Sequence, residues 1–250
     1  MVERAMQLRL VLLLAMLITL PFGNGASAGE PIVLSHRDDP LARIASKIAR
    51  ETFRRIGYDA EFMVLPSERA LQAANSGMTS GDLVRMAGIE KQYTNLVQVP
   101  VPMMNYDTVA FTTGLNFKVD GWESLRPYSL CILRGMKMAE HATEGMERTF
   151  SEDTLSAVKM LRAGRCQVSV LGNIIWPEVD EMKAGPLRSL DPPVSSTPLY
   201  LFINKKHVAL IGRLTEAMHQ MQADGTTPRI LDEMERSIQE ARKRNALPAN

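Results

Sequence analysis

The sequence predicts an α/β protein of two lobes, each a mainly parallel sheet flanked by helices. Three observations carry this. Short apolar strands alternate with amphipathic helices over residues 31–86, the pattern of βαβ units. After an irregular stretch the same alternation restarts and runs through about residue 171. Composition agrees: of 250 residues 45% are hydrophobic and 23% charged, which excludes a disordered tail, a collagen-like repeat and a multi-span membrane protein. With 29 Lys+Arg against 28 Asp+Glu, the chain gives no electrostatic reason to expect nucleic-acid binding.

Residues 1–28 read as a secretory leader. Arg4 and Arg9 supply the positive start, Leu10 to Leu20 is an apolar run, and Ala26-Ser27-Ala28 is a small-residue cleavage site. The run is shorter than the roughly 20 apolar residues a membrane span needs. With cleavage after Ala28, the expected location is the periplasm of a Gram-negative cell.

The first strand is read at 31–36, ended by Arg37-Asp38-Asp39-Pro40. Asp38 or Asp39 can cap a helix with Pro40 in its first turn. Leu41, Ile44, Ile48, Phe53 and Ile56 then make a helical stripe, and Gly57 ends it. A strand at 60–65 follows, then a short helix opened by Pro66-Ser67 and stopped by Gly77, then a strand at 81–86. Residues 89–106 show no period, and Val109 to Thr112 is strand-like. Trp122 to Leu125 reads as a helical turn and 128–133 as a strand. A helix at 137–146, another through Leu155, Val158 and Leu161, and a strand at 166–171 complete the second block. Residues 184–198 are Pro-rich, and a strand follows at 199–203. Ile211, Leu214, Met218 and Met221 form a helical stripe. Thr227 caps and Pro228 starts a last helix with Ile230, Leu231, Met234 and Ile238 on one face.

The order of these features resembles the periplasmic solute-binding proteins of the polar amino-acid type (extracellular solute-binding family 3). The resemblance covers nearly all of the chain after the leader. It rests on Gly81-Asp82-Leu83-Val84, on Val97-Gln98-Val99-Pro100-Val101-Pro102, on Ala163-Gly164-Arg165-Cys166-Gln167-Val168, and on Ala223-Asp224-Gly225-Thr226 before Ile230. It implies the type II periplasmic-binding-protein fold. Lobe 1 would be 29–110 plus 205–250, lobe 2 would be 111–204, and a ligand would close them by a hinge motion. It also implies that the strands carrying Cys131 and Cys166 are neighbours. Those cysteines then form a bridge if their Cα atoms lie within about 7 Å, or remain small buried thiols.

Three ligand handles of that family are altered. The segment after the third strand reads Ile89-Glu90-Lys91-Gln92-Tyr93, without the arginine that holds an α-carboxylate. The second-lobe turn reads Gly135-Met136-Lys137-Met138. The position of the acid that grips an α-amino group looks like Asn173. The resemblance therefore carries over the fold and not an amino-acid ligand.

Ligands of open α/β sheets bind beyond the C-terminal ends of the strands. That rule selects Ser35, His36, Arg69 and Arg85 in the first lobe, and Arg134, Lys137 and Asn173 in the second, with Tyr106 as a wall at the hinge. Arg85 sits in an apolar run, so it needs either a wet cavity or a structural acid such as Asp82 or Glu90. Arg69 lies in a helix first turn, where a cation opposes the helix dipole. Basic groups from both lobes would suit a small polar, anionic ligand. Each of these side chains also has a plain reading as a solvated or packed residue. Met136, Met138, His141 and Met146 are read as packing, and no metal or cofactor is expected.

No Gly-x-Ser-x-Gly, His-Glu-x-x-His or phosphate-loop motif is present. The expectation is a monomeric, non-enzymatic binding protein serving an ABC-type importer. The alternatives are a ligand sensor acting on a membrane receptor and a dehydratase-like enzyme on the same fold.

Overall fold

The structure is a computed structural model that describes residues 31–247; the leader at 1–28 lies outside the described residues. Strand β1 (Ile32–His36) leads into helix α1 (Pro40–Arg55). Asp39 is the N-cap, its carboxylate accepting from the Ala42 N–H at 2.7 Å, and Pro40 opens the helix. Strand β2 (Ala60–Val64), helix α2 (Ser67–Ser76) and strand β3 (Gly81–Arg85) follow, with Gly77 left-handed at the end of α2. β1 lies between β2 and β3, parallel to both.

The second half repeats the device. β6 (Leu130–Leu133) lies between β7 (Arg148–Ser151) and β8 (Val168–Gly172), parallel to both. Helix α3 (Lys137–Ala142) links β6 to β7, and α4 (Thr154–Arg162) links β7 to β8. Asp153 caps α4, accepting from the Ser156 N–H at 2.7 Å. Helix α5 (Trp176–Glu181) follows β8, anchored by buried Trp176 against Phe111 at a ring separation of 5.3 Å.

Two long strands join the halves. β5 (Met104–Thr112) pairs antiparallel with β8 and with β9 (Arg188–Asn204). β9 continues antiparallel onto β3 and onto the short β4 (Leu96–Gln98). The order is β2-β1-β3-β9-β5-β8-β6-β7. The outer strands of each half are thus parallel and the junction is antiparallel. One apolar cluster packs α1 and helix α6 (Ile211–Ala223) on the first half, and two pack the faces of the second.

Several elements differ from the sequence expectation. The strand expected at 199–203 extends back through the Pro-rich stretch to Arg188, a continuous 17-residue strand. Pro192 and Pro193 fall where the register with β5 jumps, so no ladder N–H is needed from them. β5 begins at Met104 rather than Val109, because β9 supplies its partner. The helix expected over 137–146 ends at Ala142, and β7 and α5 are short elements whose period is invisible in sequence. The last helix, α7 (Thr226–Asn245), starts at Thr226, whose N–H reaches the Asp224 carboxylate at 2.9 Å, so Thr227 is not its cap.

Helix α7 touches both halves. Glu233 meets Lys47 of α1 at 2.6 Å, while Arg244 meets Asp180 of α5 at 2.7 Å and Arg242 meets Asp191 at 2.9 Å.

Arg55 joins α1 to the turn between α6 and α7. It bonds Glu51 at 2.9 Å and Asp224 at 2.6 Å. Arg54, with Arg55 adding to it, holds Glu51 down to about 2, and Arg55 holds Asp224 down to about 2. A carboxylate whose folded pKa is depressed contributes stability above its unfolded pKa and loses it as pH falls through the folded value. Stability is therefore expected to fall between about pH 4.5 and pH 2. Arg55→Gln should lower the melting temperature more at pH 5 than at pH 2. Equal losses at both pH values would show that this network does not set the acid limb.

Candidate functional site

A cavity of about 150 Å³ lies between the halves, at the C-terminal ends of β1, β6 and β8. The loop from β1 into α1 contributes Arg37 and Asp39, and the first turn of α1 contributes Pro40 and Leu41. Tyr106 comes from β5, and Leu133 and Met136 from the end of β6 and its following turn. Thr154 of α4, Leu171 and Gly172 of β8, Ile174 and Ile175 of the next turn, and Glu178 of α5 complete it.

Tyr106 crosses over Gly172. A Cβ at position 172 would lie 2.4 Å from the Tyr106 hydroxyl oxygen, so the ring occupies the space that only glycine leaves. Burial pushes the Tyr106 hydroxyl above its ordinary value, and the Asp39 charge adds to this against Arg37. At the rim, the Arg37 Nε donates to Asp39. Glu178 is also at the rim, where burial and then the charges of Asp153 and Glu181 push its carboxyl up, with Thr154 opposing them.

The eight residues selected by sequence are not gathered in one place. Tyr106 lines this cavity, and half-buried Asn173 lines a smaller adjoining one of about 40 Å³ that Tyr106 also lines. Ser35 is fully buried, its hydroxyl donating to the Asp82 carboxylate at 2.8 Å. His36 is buried with Nδ1 2.7 Å from the Arg37 carbonyl and its ring edge-on to Phe62. Arg85 is committed to structure: Nε meets Asp82 Oδ1 at 2.5 Å, Nη1 meets Ser67 Oγ at 2.8 Å and Nη2 meets the Ser67 carbonyl at 3.1 Å. A register shift in β3 turns Arg85 back onto Asp82, with Val84 at a φ of 63°. A β-branched residue in that left-handed region costs about 1–3 kcal/mol. The Asp82–Arg85–Ser67 set pins the start of α2 over the ends of β1 and β3. Burial pushes the Asp82 carboxyl up, and the Arg85 charge opposes it.

The other basic groups are surface residues. Arg134 pairs with Glu152 at 2.7 Å and lies over the Phe150 ring. Lys137 pairs with Glu140 at 2.8 Å. Arg69 is exposed and forms no ion pair among the described residues. Among the described residues, Arg69, Arg85, Arg134 and Lys137 do not line the cavity between the halves.

Sequence reasoning missed Arg37, Asp39 and Glu178. The strand-end rule reaches Arg37 and Asp39 if it is carried one loop past His36. Glu178 had no signal, because α5 is only six residues long.

Cys131 and Cys166 are bonded, with Cα atoms 5.7 Å apart. Cys131 lies on β6, and Cys166 lies two residues before β8 rather than on it. Among the described residues no group of three or more His, Cys, Asp or Glu is placed to hold a metal, and no helix is long and apolar enough to cross a membrane.

No protein-family model matches the chain. A protein of Shewanella oneidensis, named only as uncharacterized, is 23% identical over 208 residues, covering 78% of this chain and 77% of that one. Solved structures share the fold at low identity. The GluR0 ligand-binding core in complex with L-glutamate gives a TM-score of 0.68 at 12% identity, over 85% of this chain and 99% of that one. A histidine kinase sensor domain similar to periplasmic binding proteins gives 0.66 at 18%, over 83% and 96%. A probable amino-acid ABC transporter extracellular-binding protein from Bacillus subtilis gives 0.65 at 14%, over 79% and 94%. The fold is that of the type II periplasmic binding proteins, and its structural neighbours include polar amino-acid binders of extracellular solute-binding family 3.

Proposed function

We propose that this protein captures a small polar molecule in the cavity between its halves, in the periplasm, and presents it to an ABC-type importer. The units that would move are 29–110 plus 205–250, and 111–204. The observation that carries this reading is one cavity walled by both halves, at the strand ends where open α/β sheets bind ligands. The B. subtilis neighbour is described as an ABC transporter binding protein, which supports the importer. A second reading, a sensor domain signalling through a membrane receptor, is supported by the likeness to the histidine kinase sensor domain.

The test is thermal unfolding of the protein against a library of small metabolites, with Gly172→Ala beside it. A ligand at 100 times its dissociation constant stabilises by about 2.7 kcal/mol, a visible shift. The variant should bind any hit at least tenfold more weakly, because its Cβ drives Tyr106 into the cavity. A hit that binds Gly172→Ala as well as the parent would place binding elsewhere, and no hit at all would count against the reading. Cross-linking of the bound form to a permease, rather than to a receptor, would separate import from sensing.

A further inference from the structure

We propose that the cavity between the halves takes a small monoamine that has no carboxylate, with its ammonium group on Glu178 and its apolar body against the cavity walls. This rests on the reading of that cavity as the binding site.

Size comes first. A cavity near 150 Å³ holds a molecule about as large as benzene. The walls then ask for an apolar body, since Leu41, Leu133, Met136, Leu171, Ile174 and Ile175 offer no polar side chain. What remains is the sign of the head group.

The groups that would receive an anion are already occupied. The start of α1 would attract a carboxylate, and Asp39 of the chain itself caps it. The start of α4 is capped in the same way by Asp153, which accepts from the N–H and the hydroxyl of Ser156. Arg37, the one cation lining the cavity among the described residues, has its Nε on Asp39. Glu178 is different, for it enters no ion pair among the described residues. Burial, and then the charges of Asp153 and Glu181, push its carboxyl up. Glu178 is exposed at the rim, and a protonated amine there would meet it in a charge-assisted hydrogen bond. An amino acid would bring a carboxylate toward Asp39 of the cavity wall, where like charge repels it.

The experiment compares three probes that share one branched apolar body: isoamylamine, leucine and isocaproate. Binding to dialysed protein is measured by calorimetry, for the parent and for Glu178→Gln and Gly172→Ala. The expected result is that isoamylamine binds and that leucine and isocaproate bind at least tenfold more weakly. Glu178→Gln should weaken the amine at least tenfold while leaving the melting temperature of the free protein unchanged or higher. Leucine or isocaproate binding better than the amine, with loss in Gly172→Ala, would overturn the ligand class and leave the cavity as the site. Amine binding unchanged in Glu178→Gln would overturn the role of that carboxylate. Silence from all three probes would overturn the proposed class, whereas a ligand of any class indifferent to Gly172→Ala would overturn the site itself.

Discussion

Asp82→Ala is expected to lower unfolding stability by about 3–5 kcal/mol, the usual cost of removing one partner from a buried ion pair. Asp82 is 0% exposed and the Arg85 side chain 11% exposed, so water cannot replace the lost carboxylate. The variant leaves a guanidinium uncompensated and takes an acceptor from the Ser35 hydroxyl. The size of the loss does not mean that the pair is a strong net stabiliser. Bringing both charges out of water offsets much of their attraction, so exchanging both for apolar residues usually costs less than breaking the pair. Urea unfolding separates the two cases. Asp82→Ala alone should fall well below Asp82→Leu/Arg85→Met, although the double variant still loses the clamp on Ser67. A loss under about 1 kcal/mol for Asp82→Ala would mean that water reaches Arg85 and that the start of α2 is not pinned by it.

Removing the Cys131–Cys166 bond is the second large effect. The bridge closes a loop with a sequence separation of 35, and the chain-entropy relation gives about 3–4 kcal/mol for such a loop. The loop carries α3, β7 and α4, so the bond ties β6 to the segment that enters β8. Cys131→Ala/Cys166→Ala should lose that much in urea, and the parent unfolded under reductant should match the variant. Both sulfurs are buried, with Cys131 0% and Cys166 3% exposed, so reductant should act only once the protein opens. Coincident unfolding curves for oxidised parent and variant would show that the bridge contributes nothing.

Much of the fold was legible because local rules and tertiary packing agree over long elements. The stripe Leu41, Ile48 and Phe53 is buried in α1 as read, and Asp39 and Pro40 start that helix. The strand at 81–86 and the helix stopped by Gly77 also stand where residue types placed them. Short elements were illegible, since four residues in β7 and six in α5 show no usable period. The site was less legible than the fold. The strand-end rule selected side chains near the correct ends, yet position along a strand does not say whether a charge faces a cavity or a partner. Arg85 and Ser35 satisfy the rule and are spent on Asp82.

The sequence alone determined the class of this protein. Two β/α blocks and their order follow from periodicity and spacing, which depend on near neighbours in the chain. Tertiary structure decided what those residues do. Only the pairing of β9 with β3 and β5 turns the Pro-rich stretch into a strand. Only the meeting of the two halves puts Arg37, Asp39, Tyr106, Gly172 and Glu178 around one cavity. The reason is physical: burial, countercharge and cavity shape come from groups far apart in the chain, and local propensity contains no information about them.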